Sequence, residues 1–66
     1  MNWIKFADQL INLELVSEIY KSYDKKPMIK FKLSDSNTSL SFNDKETRDK
    51  VFDIIQIKID PFVLDI

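Results

Sequence analysis

Histidine, cysteine and glycine are absent from this 66-residue chain, and alanine occurs once, at Ala7. Without histidine and cysteine, the side chains that most often act as general bases, thiol nucleophiles and soft metal ligands are missing. What remains is carboxylates, lysines, hydroxyls and one arginine, Arg48, and none of them falls into a recognised catalytic spacing. The expectation is a protein that binds rather than catalyses, with no catalytic residues, no cofactor and no metal. A chain this short makes one domain and leaves no room for a cleft between two cores. With neither a disulfide nor a zinc site to staple it, the monomer is expected to be marginal, and oligomerisation is the remedy such small domains use.

The absence of cysteine fits a reducing compartment. The opening Met1-Asn2-Trp3-Ile4-Lys5-Phe6 reaches Asp8 before any long apolar run, so neither a signal peptide nor a membrane span is expected. A cytoplasmic protein without membrane contact follows as the expectation.

The helical signal lies near the C-terminus. Asn43 offers an N-cap side chain, and Glu46, three residues on, can reach back as a capping box. Val51, Phe52, Ile54, Ile55 and Ile59 recur at three- and four-residue offsets, which predicts one buried face, while Lys45, Arg48, Asp49, Asp53 and Gln56 fill the other. Pro61 disfavours helical backbone at the residue before it, so Asp60 is the expected stop.

Strand signals precede it. Met28 to Leu33 alternates strictly, with Ile29, Phe31 and Leu33 on one side and Met28, Lys30 and Lys32 on the other. Thr38 to Phe42 repeats the pattern, and Ser34-Asp35-Ser36-Asn37 supplies turn chemistry without glycine. Pairing Phe31 with Leu40 and Ile29 with Phe42 places all four apolar groups on one face. Val16 to Tyr23 reads as another strand, joined through a loop of Asp24, Lys25, Lys26 and Pro27. If Ile19 opposes Phe31, then Glu18 opposes Lys32 and Tyr20 opposes Lys30, a favourable set of pairs. Trp3 to Phe6 reads as a short first strand, with Leu10 to Leu15 as a connecting turn. The expected fold is α+β: a four-stranded antiparallel meander with one C-terminal helix packed on one face. Residues 1–60 form the domain, and 61–66 an apolar tail carrying Phe62, Val63, Leu64 and Ile66.

Charge is more informative locally than globally. The net charge is −1, yet Tyr20 to Leu33 holds five lysines against Asp24, a local +4 that leaves −5 for the remainder. Tyr20, Lys21, Lys25, Lys26, Lys30 and Lys32 are thereby candidate contacts for an anionic partner, since nucleic-acid binders place lysines on phosphates and aromatic faces on bases. The competing account makes these lysines a solvated outer face that guards the sheet against edge association. Asp49 and Asp53, four apart on the helix, lack the third oxygen ligand that a hard cation needs, and surface patterning explains them better. Trp3 with Phe62, Val63 and Leu64 forms a candidate oligomer contact, because aromatic residues are enriched at interface centres; the alternative is that Trp3 anchors the first strand and the tail packs back on the sheet edge.

The run Ile11-Asn12-Leu13-Glu14-Leu15-Val16-Ser17-Glu18-Ile19, followed by two strands and a polar-capped helix, resembles a pattern found in small uncharacterised bacterial and phage proteins. The resemblance spans residues 3–59 and implies a compact four-stranded sheet capped by a helix, with no assigned activity. The order of elements is also similar to that of single-stranded-DNA-binding transcriptional coactivators, in which four strands precede one helix; those domains have a strongly basic, glycine-containing sheet, which this chain lacks. A composition heavy in Lys, Ile, Asn, Asp, Phe and Ser agrees with A+T-rich coding and hence with a low-GC bacterium or phage. The expected function is a protein-binding module, a homodimer and a phage or mobile-element accessory protein being the specific forms considered. The alternative is single-stranded nucleic-acid binding through the hairpin from Lys21 to Lys32.

Overall fold

A computed structural model of the chain describes residues 2–64; Ile66 of the expected tail lies outside them. The elements run β1 (Trp3–Phe6), β2 (Gln9–Asn12), a 3-10 turn (Leu13–Leu15), β3 (Val16–Asp24), β4 (Lys26–Leu33), β5 (Asn37–Ser41) and α1 (Lys45–Ile59). The class is α+β, but the single four-stranded meander is corrected. There are two antiparallel sheets, the hairpin β1-β2 and the three-stranded sheet β3-β4-β5.

The correction has a local cause. The segment expected as a turn contains β2, which folds straight back on β1 through the two-residue connection Ala7-Asp8, with Ile4 opposite Ile11 and Phe6 opposite Gln9. Closing so short a loop costs little entropy, so β1 pairs with its nearest neighbour instead of joining the larger sheet. Ile4, Phe6 and Ile11 then share one face of the hairpin, and that face packs on the three-stranded sheet: Ile11 is buried, and the Phe6 and Phe42 rings lie 4.9 Å apart. A hydrogen bond of 2.7 Å from the Gln9 amide to the Thr38 hydroxyl ties the hairpin to β5.

In the larger sheet β4 is central. Its pairing with β3 places Ile19 opposite Phe31, Glu18 opposite Lys32 and Tyr20 opposite Lys30, as the alternation predicts. The pairing with β5 differs by two residues from expectation, with Ile29 opposite Leu40 and Phe31 opposite Thr38. The chain turns back early, the Leu33 N–H donating to the Ser36 carbonyl at 2.8 Å, and Phe42 passes beyond the end of the strand, its N–H donating to the Pro27 carbonyl. A shift of two preserves the facing of side chains, so Ile29, Phe31, Leu40 and Phe42 are all buried, and with Ile11 and Ile55 they form one cluster. The loop expected from Asp24 to Pro27 is tighter than the sequence suggests: Asp24 already opposes Lys26, and Lys25 alone makes the reversal at φ 67°.

Without glycine, positive φ falls on other residues. Ala7 (54°), Lys25 (67°) and Asp60 (52°) adopt it, each at a point where the chain must reverse or a helix must end. Asp tolerates this region better than a residue without a short polar side chain.

The helix begins one residue later than expected. Asp44, not Asn43, is the N-cap, and its carboxylate accepts from the Thr47 N–H at 2.7 Å, in place of an Asn43–Glu46 box. Asp60 ends it in the left-handed conformation, its N–H donating to the Gln56 carbonyl at 2.8 Å.

Candidate interaction surfaces

Successive helix residues are separated by about 100°, and this angle decides which of them reach the sheet. Val51, Phe52 and Ile55 point inward, and Arg48, one turn before Phe52 and nearly two before Ile55, points inward with them. The expectation that Arg48 lies on the solvent face is therefore corrected, whereas the Asp49 side chain stays half exposed. The Arg48 side chain is only 11% exposed; its guanidinium donates to the Ser22 carbonyl at 3.0 Å and to the Asp49 carboxylate at 3.0 Å. Ile54 falls on the opposite side from Phe52 and is 65% exposed, so its expected place on the buried face is corrected too; Ile59 keeps the inward facing but is exposed rather than buried, because it lies past the part of the helix that closes the core.

Lys21, a candidate phosphate contact, is drawn into the same anchor. It pairs with Ile29 across β3 and β4, which turns it toward the helix. There its ammonium lies 3.3 Å from Asp49 and 5.0 Å from the centre of the Phe52 ring. Partial desolvation pushes the Asp49 carboxyl up, but the hydrogen bonds from Arg48 and Lys21 outweigh it and hold the group below the usual aspartate range. The hydrogen bonds from Thr47, the backbone N–H above all, lower Asp44 likewise. Lys45 of the first helical turn sits 5.2 Å over the Tyr23 ring.

The other hairpin candidates are not on that face. Tyr20, Lys30 and Lys32 alternate with Ile19 and Phe31 and so occupy the sheet face that neither the helix nor β1-β2 covers. Lys26 shares it at the hairpin end, and Lys25 is the turn itself. The strip is not purely basic, since Glu18 stands opposite Lys32 and Asp24 opposite Lys26. Serines, Asn37 and a half-buried Met28 complete it.

Beyond Ile55 the helix parts from the sheet. Between its last turns and the start of β3 runs an apolar groove of about 520 Å3, walled by Leu13, Val16, Ile19, Phe52, Ile55 and Ile59, with Pro61 also contributing to the wall. Among the described residues, Glu18 and Lys58 are its two charged lining residues. Outside the groove the helix exposes Ile57 at 79%, and the segment that follows exposes Phe62 at 89% together with Val63 and Leu64. This segment does not pack back on a sheet edge. Trp3, the fourth candidate, stands on the outward face of the first hairpin between strand neighbours and is half exposed, as is Leu10 beside it. Trp3 does not line the groove, although its neighbour Asn2 does.

Among the described residues, no group of three or more acidic side chains is gathered as a metal site, and Asp49 is engaged by Arg48 and Lys21 instead. No buried side-chain nitrogen or oxygen among them lacks a hydrogen-bond partner, and no helix is long and apolar enough to cross a membrane. The sequence reading missed the Arg48 anchor and the groove. The signal for the first was present, since Arg48 lies three and four residues before Val51 and Phe52 on the face they define. The groove depends on where the helix leaves the sheet, which periodicity does not encode. Comparison with known proteins found no matching family model, no matching curated protein and no matching solved structure.

Proposed function

We propose that this chain is a protein-binding module that acts by contact rather than by catalysis, and that the C-terminal half of α1 with the segment after it is the contact surface. The observation that carries the reading is the exposed apolar segment Phe62, Val63 and Leu64 directly after an apolar groove, with Ile54 and Ile57 also exposed on the helix face turned away from that groove. Single exposed apolar residues are ordinary, but several large ones within one short stretch of so small a protein point to an interaction site. Burying a residue such as Ile57 or Phe62 contributes roughly 1.5–3 kcal/mol each, enough for a few of them to hold a partner. A reducing compartment and an accessory role in a phage or mobile element remain compatible with this reading.

Nucleic-acid binding through the open sheet face is the competing reading, favoured by Tyr20, Lys26, Lys30 and Lys32 lying together there. It is the weaker of the two. Lys21 is spent on Asp49 and Phe52, and Glu18 and Asp24 offset two of the remaining lysines across the strands. Affinity chromatography of the tagged chain from nuclease-treated native lysate, with a second, differently tagged copy co-expressed, separates the two. Retained protein, whether the second copy or another, that is lost in an Ile57→Asp variant supports the module. Retention of nucleic acid from untreated lysate that falls steeply with salt and ignores Ile57→Asp supports the alternative. Retention of neither overturns both.

A further inference from the structure

Among the described residues, the groove and the exposed segment Phe62–Leu64 are two unpartnered apolar features that adjoin each other. Pro61 is part of the groove wall, so the three exposed residues begin where the groove does. They nevertheless turn away from it. Asp60 is fixed in the left-handed conformation by its hydrogen bond to the Gln56 carbonyl, and Pro61 holds its own φ near −65°. Two consecutive constrained residues direct the chain outward, and a return into its own groove would require a second reversal within three residues. A groove of another molecule imposes no such reversal.

Resting on the contact surface proposed above, we infer that the occupant of the groove is the Phe62–Leu64 segment of a second copy of this chain, exchanged reciprocally about a two-fold axis. The side chains of a phenylalanine, a valine and a leucine match a groove walled by Leu13, Val16, Ile19, Phe52, Ile55 and Ile59. Because only Asp60 and Pro61 separate the helix from the exchanged segment, the two helix C-termini must lie side by side. The net charge of −1 per chain opposes the approach of two copies only weakly. Two exchanged segments with the walls they cover remove on the order of 1,000 Å2 from water, the lower bound of a specific interface. Area alone does not set the affinity, so the association has to be followed over a wide range of concentration.

Sedimentation equilibrium from submicromolar to millimolar concentration provides the first test. The intact chain is expected to pass from its 7.8 kDa monomer mass to twice that value. Phe62→Asp and Ile59→Glu, one in the segment and one in the groove wall, should each remain monomeric while keeping the far-ultraviolet circular dichroism of the intact chain. The absence of native cysteine allows a second readout that does not depend on those variants. Gln56→Cys in the groove wall and Val63→Cys in the segment are prepared as separate proteins, mixed and treated with a mild oxidant. A disulfide-linked pair containing one of each, in excess over either homodimer, supports the exchange. The inference is overturned by a monomer at every concentration, by a dimer that survives Phe62→Asp, or by a double Gln56→Cys/Val63→Cys chain that closes on itself while the separate variants do not join. If any of these occurs while other proteins are still retained from lysate through Ile57, the contact surface stands and only its occupant changes.

Discussion

The two halves of α1 are opposite in character although they belong to one continuous helix. The first half is held to the sheet by polar contacts: the Asp44 cap, the Arg48 guanidinium on the Ser22 carbonyl, and Lys21 between Asp49 and the Phe52 ring. Among the described residues the second half has no such ties to the sheet. Ile55 closes the core, after which Ile57 and Ile59 are exposed and the groove opens. Anchoring one half by directional bonds frees the other half for contact. The anchor is arginine for a physical reason, since the planar guanidinium can serve a carbonyl and a carboxylate at once while its stem lies against apolar neighbours.

The sharpest test of this division is the core beneath the anchored half. Phe31→Ala removes a side chain that is fully buried, which costs about 3–5 kcal/mol. That approaches the whole stability of a domain of this size, and circular dichroism should show an unfolded chain at room temperature. Next comes the anchor itself. Arg48→Met keeps the stem and removes the hydrogen bond to Ser22, with an expected loss of about 1.5–3 kcal/mol in urea unfolding and increased hydrogen exchange at the start of the helix. Ile57→Ser should change monomer stability by less than roughly 0.5 kcal/mol, while the proposed contact predicts that it loses partner retention. An equal loss of stability for Arg48→Met and Ile57→Ser would erase the distinction between the halves.

The smallest effect expected is in acid. Asp44 and Asp49 have folded pKa values below those of the unfolded chain. Their contribution is therefore complete above the ordinary aspartate value and is lost as pH falls through the lowered ones, in the region below about pH 4. Asp44→Asn keeps a cap without the charge. The difference in melting temperature between this variant and the intact chain should shrink as the pH falls through that region, and a difference independent of pH would show that the charge of Asp44 contributes nothing.

The larger sheet was legible because alternation and charge agreed. In β3 and β4 the apolar positions fix the facing, and Glu18 with Lys32 selects one alignment among those that share it. Between β4 and β5 no charged pair breaks the tie. Facing alone does not distinguish alignments two residues apart, and the choice fell to a turn that closes at Leu33 and Ser36. The first hairpin escaped notice because Gln9–Asn12 is short and Ala7-Asp8 lacks the asparagine-glycine signature of a two-residue turn. Asn43 and Asp44 are both good caps, and adjacent capping residues leave the start of a helix open by one position. For the candidate contacts, the count of lysines was legible from Tyr20 to Leu33, but their division was not used: at a period of two, Lys21 must face opposite to Lys30 and Lys32. The exposure of Phe62–Leu64 was one of two open accounts, and its relation to a groove could not be read from composition.

The single-residue reversal at Lys25 carries a consequence for how this chain tolerates change in length. With Lys25 the only link between Asp24 and Lys26, a deleted residue cannot be absorbed by slack in a loop. Loss of Lys25 would have to be met by unpairing the strand ends or by a one-residue slip that interchanges the dry and wet sides of one strand, so the hinge serves as the datum from which the inside and outside of the sheet are measured.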